Sequence, residues 1–438
     1  MSHPPEFDPE KLSRWTGGRW TAPGARVSGF ATDTRELRRG QMFVALKTEK
    51  RDGHTFLGAA QAAGAGAALV AAADPTVALP QLVVKDPLAA FQAAAAAHRR
   101  SFRGPVIAIS GSAGKTSTKN LLAVLLGEST TLATEGNLNN HLGVPLTLTR
   151  IDPAAHRHAV IEAGISAPGE MAALAAMIAP EIAIITLVAP AHLAELGGIE
   201  GVAREKAVLA SMVRPGGLAI FPAQCAQFSA FRGLKVKTEI VSFTATHDGE
   251  TTRVALDSAG QDPFTLRRVS DGMAQNAALA LAAALRLGLS PDEIRRRLAL
   301  WQPAPLRGEL RRENGRLLYL DCYNANPASM GDALAAFCAI APPEAPRLFV
   351  VGCMEELGPE APRFHRELGR SLPLRPDDFL LITGENAAPV REGALENGGR
   401  AAQIAVVDGL EGVKERVAAF RGAVFVKGSR RYQLERIL

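Results

Sequence analysis

The chain has 438 residues, 47% hydrophobic and 21% charged, with a net charge of +5 and a pI near 9.1. That length supports two or three domains with real cores, and the composition is that of a globular enzyme. The weak, unclustered positive charge suits an anionic substrate and is too weak to argue for nucleic acid as a partner, while the longest apolar stretch, near 182–191, is too short to span a membrane.

Residues 1–82 form a first block of short strands and turns, with an alanine-rich helix at 56–68 and a strand at Ala67–Val70. Pro75, Pro80 and Pro87 punctuate its end. Residues 83–300 form a second block, opened by a helix over 87–100. Strands follow at 106–110, 158–162, 181–187 and 217–221, and helices at 115–127, 168–178, 199–212, 273–287 and 291–300. Apolar strands alternating with helices predict a parallel sheet covered on both faces. Arg295, Arg296 and Arg297 read as a solvated helix face. Trp301-Gln302-Pro303-Ala304-Pro305 is a linker that opens the third block, 301–438. There, strands near 316–321, 347–351, 378–382, 403–407 and 423–427 predict a second doubly wound domain. The fold class is α/β in three domains. Cys225, Cys322, Cys338 and Cys353 have neither metal-ligand spacing nor a disulfide pattern. With Met-Ser-His-Pro-Pro at the start in place of a leader, they predict a reducing cytoplasm.

The most informative segment is Ser110-Gly111-Ser112-Ala113-Gly114-Lys115-Thr116-Ser117. It stands between the apolar run Val106–Ile109 and the helical pattern Thr118–Leu126. Strand, glycine turn, Lys-Thr, helix is the geometry that holds nucleotide phosphates, through curled backbone N–H groups and a helix N-terminus. Lys115 is placed to reach the terminal phosphates and the Thr116 hydroxyl to ligate Mg²⁺. The usual pattern has a glycine where this chain has Ile109.

Other polar residues fall where strands end, the place open α/β sheets receive ligands. Glu162 closes the run His158–Ile161 and suits either Mg²⁺ beside a phosphate loop or an ordinary surface position. His192 follows the strand and turn 181–191 and, taken alone, reads as structural. Lys206 lies in a helix and reads from spacing as a surface lysine. Asn137, Asn139 and Asn140 crowd one loop, where amides also serve as turn chemistry. Tyr323-Asn324-Ala325-Asn326-Pro327 follows a strand ending at Asp321, and Lys427-Gly428-Ser429-Arg430 follows the last strand. Together they describe a phosphate-handling enzyme with a site between two α/β domains.

In this order, Gly-Ser-x-Gly-Lys-Thr, Gly-Asn-Leu-Asn-Asn, Glu-Ala-Gly, His-Leu, Lys-Ala, Tyr-Asn-Ala-Asn-Pro, Glu-Leu-Gly and Lys-Gly-Ser-Arg resemble the Mur ligases of peptidoglycan synthesis. The resemblance covers essentially the whole chain, and is nearest to the member that adds D-Ala-D-Ala. It implies ATP-driven amide formation between UDP-N-acetylmuramoyl-tripeptide and D-Ala-D-Ala, through an acyl phosphate, by a cytoplasmic monomer. By this resemblance Lys115, His192, Lys206 and Arg307 serve catalysis. Gly111, Ser112, Ala113, Gly114, Lys115, Thr116, Ser117, Asn276, Arg307, Asp321 and Asn324 hold the nucleotide. Thr116, Glu162, His192 and a carbamylated Lys206 serve Mg²⁺. Thr32, Asp33, Thr34, Arg35 and Lys47 resemble UDP-sugar contacts, and Asn139, Asn140 and Asn326 are grouped with them as substrate contacts.

This chain departs from the family pattern at His141, Thr48, Cys353 and across Ser270–Asn276, where only Asn276 of Gly-x-His-Asn-x-x-Asn is kept. Two other readings remain open at this stage. One is a sister ligase adding another amine, such as a diamino acid or glutamate. The other is a non-catalytic nucleotide-binding paralogue.

Overall fold

A computed structural model describes residues 5–438 apart from 259, 261 and 314, and builds the chain around four sheets. The first sheet has five strands in the order Arg19–Trp20, Gln81–Val83, Ala67–Val70, Met42–Val44 and Phe30–Ala31. Only Arg19–Trp20 runs antiparallel to its neighbour. The predicted strand Ala67–Val70 is present and buried throughout. The predicted helix at 56–68 is shorter: a 3₁₀ turn over Gly53–Phe56 leads into Leu57–Ala62. Gly64 (φ 87°) ends it, since a left-handed residue breaks the helical run and turns the chain into the strand.

Asp86 caps the helix Pro87–Ser101, accepting from the N–H groups of Leu88 and Ala89, with proline preset at the first position. This helix joins two cores. Ala90, Phe91 and Ala94 pack under the first sheet, and Ala95 packs under the second. Arg99, 1% exposed, donates to the carbonyls of Ile178 and Ala179 and to the Glu181 carboxylate. A buried guanidinium is tolerated because its donors are used.

The central sheet is wholly parallel, in the order Lys237–Val241, Leu218–Pro222, Ile182–Ile185, Val106–Ser110, His158–Glu162 and Thr131–Ala133. Helices Glu170–Ile178 and Ile199–Ser211 cover one face, and Lys115–Leu126 and Asp271–Arg286 the other. The chain builds outward in both directions from Val106–Ser110. Its carboxyl end is therefore a topological switch point, where a crevice opens for ligand.

Three strands at Phe243–Asp248, Thr251–Leu256 and Phe264–Arg267 form a separate antiparallel sheet that the sequence reading does not contain. Its inner face, with Val254, Leu256, Phe264 and Leu266, joins the core beneath helix Asp271–Arg286. The arginine run in helix Pro291–Leu298 is not simply solvated. Arg297 donates to the Leu125 carbonyl and pairs with Glu293, and Arg295 stands 5.3 Å from the Phe264 ring centroid.

The last sheet runs Glu309–Glu313, Arg316–Leu320, Ala423–Lys427, Arg347–Gly352, Phe379–Thr383 and Ile404–Val406. All neighbours are parallel except the edge strand Glu309–Glu313, a charged strand absent from the sequence expectation. The α/β class holds in all three parts. Among the described residues the four cysteines are unpaired and no helix is long and apolar enough to cross a membrane.

Candidate active site

The phosphate loop leaves the buried strand Val106–Ser110 and enters the helix Lys115–Leu126. Gly111 (φ 153°) and Gly114 (φ 81°) are required twice over, by backbone conformation and by space. A Cβ on Gly111 would lie 1.8 Å from Thr186 Oγ1, and one on Gly114 would lie 2.3 Å from Asn276 Oδ1. Ile109, where a glycine is usual, is instead a buried strand residue paired with Glu162 and Ile184. The loop is pinned from the neighbouring strand. Thr186 Oγ1 donates to the Ala113 carbonyl (2.5 Å), Ser112 N donates to the Leu187 carbonyl (2.8 Å), and Ser112 Oγ donates to the Ala189 carbonyl (2.8 Å).

Lys115 Nζ folds back to the Gly111 carbonyl at 2.7 Å, over the loop. Desolvation lowers its pKa, the nearby Glu162 carboxylate working the other way. Thr116 Oγ1 donates to Glu162 Oε2 (2.9 Å) and accepts from Arg307 (3.0 Å). Asn139 Nδ2 donates to the other Glu162 oxygen at 2.8 Å. Glu162, 2% exposed, is thus at the focus of the loop. Lys119, which the sequence reading did not single out, also serves this focus: it is 4% exposed and donates to the Thr134 carbonyl at 2.5 Å, while Thr134 Oγ1 accepts from Glu162 N (2.9 Å). Its signal was its place one helical turn after Lys115, on the same face.

Among the described residues no three His, Cys, Asp or Glu side chains cluster as a metal cage. Mg²⁺ needs none beside a nucleotide, since phosphate oxygens and water fill most of its positions. The adjoining oxygens of Thr116 and Glu162 fit that role. His192 sits in the left-handed region (φ 50°), and its Nδ1 lies 3.1 Å from Glu356 Oε2, a residue of the C-terminal domain that is itself left-handed (φ 64°). Burial lowers the His192 pKa despite that carboxylate. Lys206 is not a surface lysine: it is 4% exposed on helix Ile199–Ser211, with no hydrogen-bond acceptor for Nζ among the described residues. Burial and then the charge of Lys115 push its pKa down to about 7.

The C-terminal domain meets this loop directly. Arg307 reaches Thr116 while its guanidinium lies 4.1 Å from the Tyr323 ring centroid. Asn326 caps helix Pro327–Ile340 and its Nδ2 donates to the Ser112 carbonyl at 3.1 Å. Asn326 therefore belongs with the phosphate loop, away from the UDP-sugar candidates with which the sequence reading groups it. Asp321 and the Asn324 carbonyl are held by buried Lys427, whose Nζ donates to Asp321 Oδ2 at 2.5 Å and to Asn324 O at 3.1 Å. Asn276, 9% exposed, rests on Gly114 with no hydrogen-bond partner among the described residues. Ser117 follows Thr116 in the first helical turn.

The remaining candidates lie apart. Thr32, Asp33, Thr34 and Arg35 follow the strand Phe30–Ala31 in the first sheet. Asp33 and Arg35 pair at 2.5 Å, which holds the Asp33 carboxyl at about 2. Lys47 stands 3.7 Å from Asp52. None of the five hydrogen bonds to the phosphate loop. Asn140 Oδ1 is occupied by the N–H groups of Leu142 and Gly143. A cavity of about 480 Å³, unforeseen from sequence, opens at the carboxyl ends of strands Phe379–Thr383 and Ile404–Val406, lined by Glu385, Asp408, Arg431 and Tyr432 among others. Arg431 pairs with Glu385 (2.6 Å) and Tyr432 Oη donates to Glu355 (2.5 Å).

Residues 109–284 match the Mur ligase middle domain and residues 306–430 the Mur ligase, glutamate ligase domain. The UDP-N-acetylmuramoyl-tripeptide–D-alanyl-D-alanine ligase of Escherichia coli (strain K12) is 36% identical over 377 residues, covering 82% of each chain. A crystal structure of MurF from Acinetobacter baumannii superposes with a TM-score of 0.87 at 29% identity, over 100% of this chain and 98% of that one. A MurF ligase from Thermotoga maritima, solved in complex with ADP, shares the fold with a TM-score of 0.80 at 24% identity, over 93% and 96%.

Proposed function

Because this chain belongs to the Mur ligase family, alongside its D-alanyl-D-alanine-adding members, we infer that it joins D-Ala-D-Ala to UDP-N-acetylmuramoyl-tripeptide at the expense of ATP. The observation that carries the reading is the Glu162–Thr116–Arg307 chain, which puts groups of two domains on one phosphate loop.

The residues account for the chemistry as follows. The phosphates of ATP lie in the loop Gly111–Thr116, and Lys115 turns from its own carbonyl partner to the γ-phosphoryl oxygens. Thr116 and Glu162 would hold Mg²⁺, which supplies neutralisation of phosphate charge when bound. The terminal carboxylate of the tripeptide attacks the γ-phosphorus; the new O–P bond forms as the bond to ADP breaks. Arg307 meets the charge that spreads over the transferring group. The amine of D-Ala-D-Ala then attacks the acyl carbon; a C–N bond forms, phosphate leaves with the C–O bonding pair, and the amine loses a proton. His192 and Lys206 complete the reading as groups that bear on the metal. Thr32–Arg35 and Lys47 receive the UDP-sugar end on the first sheet.

The cavity at Glu385 and Arg431 suits the dipeptide, a zwitterion that needs acceptors for its ammonium and a donor for its carboxylate. It lies where an open α/β sheet takes ligand. The domain division near residues 83 and 301 and a monomeric, cytoplasmic enzyme belong to the same reading, and four free thiols suit that compartment.

The expected result with UDP-MurNAc-tripeptide and ATP is phosphate release that is far faster with D-Ala-D-Ala than with L-Ala, D-Glu, L-Lys or meso-diaminopimelate. A preference for any single amino acid would move the chain to a sister ligase. No release with any amine would make it a nucleotide-binding paralogue.

A further inference from the structure

We propose that Asp332 is a positioning residue that docks the C-terminal domain onto the nucleotide-binding domain, its carboxylate occupying the space left by the absent side chain of Gly272. Asp332 lies six residues after Asn326 on the helix whose cap touches the phosphate loop. Gly272 N donates to Asp332 Oδ1 at 2.8 Å. Gly272 belongs to the first turn of helix Asp271–Arg286, in the other domain. A negative group at that end of a helix is favoured by the unpaired N–H groups and the helix dipole.

Gly272 has no conformational reason to be glycine. Its φ is not positive, and glycine is a poor helix former compared with alanine. Space supplies the reason: a Cβ there would lie 2.6 Å from Asp332 Oδ2 and 2.9 Å from Asp332 Cγ, with no closer neighbour. One turn further, on the same face, Asn276 rests on Gly114 of the phosphate loop. The contact with Asp332 is thus placed to set how the C-terminal domain closes over the nucleotide. Burial raises the Asp332 carboxyl pKa, as expected of a group whose solvent is removed by docking.

The inference rests on the ligase reading for its kinetic arm only. Gly272→Ala, Asp332→Ala, Asp332→Asn and the double variant Gly272→Ala/Asp332→Ala would be compared with the unaltered protein. The measurements are calorimetric binding of a non-hydrolysable ATP analogue, KM and kcat for ATP, thermal unfolding and small-angle scattering without nucleotide. Gly272→Ala should unfold no earlier, since alanine favours the helix. It should nevertheless bind the analogue about tenfold more weakly, raise KM for ATP more than it lowers kcat, and show a larger radius of gyration. Asp332→Ala should weaken binding less, and Asp332→Asn less again, because an amide oxygen still accepts from Gly272 N. The double variant should bind better than Gly272→Ala alone, because the new methyl then has room. Unchanged binding and scattering in Gly272→Ala, or a double variant no better than Gly272→Ala, would overturn the proposal. Failure of the unaltered protein to release phosphate would remove the ligase reading, with scattering still deciding the docking.

Discussion

Lys115→Ala should leave the protein folded and reduce turnover by about 10²–10³ or more. The ammonium is the one mobile charge on the loop: its bond to the Gly111 carbonyl can be exchanged for a bond to phosphate without moving the backbone. The loop itself does not depend on it. Thr186, Ser112 and the two glycines fix the turn, so removing the side chain leaves the cradle in place. A group that contributes little to the ground-state fold and much to a transition state rich in phosphoryl charge should lower kcat more than it raises KM for ATP. Lys115→Arg should not restore the rate, since a planar guanidinium cannot occupy the space of a compact ammonium against the loop. Steady-state phosphate release, with thermal unfolding as the control for folding, measures both. A folded Lys115→Ala with near-normal turnover would take the loop out of the mechanism.

The central sheet and the phosphate loop were legible because their causes are local. A run of buried β-branched residues, a glycine turn and a helical repeat leave their pattern in adjacent residues, as at Val106–Leu126. Glu162 was legible by position alone, at the end of a strand beside the loop strand. The antiparallel sheet at 243–267 was missed although the two-residue turn Gly249-Glu250 joins two of its strands, and a glycine at the first turn position is a recognised hairpin signal. Its alternation is short and its strands are half-exposed, which weakens the pattern. Burial of Lys206 was invisible because the helix around it reads the same whether solvent or packed protein faces the lysine. Gly272 could be seen as a departure, but its explanation lies 60 residues away on another domain, where a carboxylate fills its space. Long-range packing of that kind has no local signature. The roles of Asn139 and Asn140 could not be separated for the same reason: one amide of the loop reaches Glu162 and the next only caps a turn.

Lys206→Ala should lose most of the activity, and a small carboxylate such as formate in the buffer should restore part of it. The two effects together identify a carbamate. An ammonium at this position would be a buried charge close to Lys115 with no acceptor of its own, an arrangement that costs free energy. The pKa of about 7 describes how that cost is reduced: near neutral pH a large share of the side chain is the uncharged amine. That amine can add to the carbon of CO₂, forming an N–C bond and releasing one proton, and the product is an anion. The anion would reverse the repulsion from Lys115 and would offer an oxygen ligand for a divalent cation near His192. Since the amine must be neutral to react, modification should fall as pH drops below about 7, and activity with it. An unmodified lysine would predict no rescue, because added formate would then have no vacated anion site to fill. ¹³CO₂ gives a readout independent of turnover: a carbamate resonance should appear in the unaltered protein and be absent in Lys206→Ala. Full activity of Lys206→Ala, or no carbamate signal at neutral pH with saturating CO₂, would leave Lys206 a plain buried lysine.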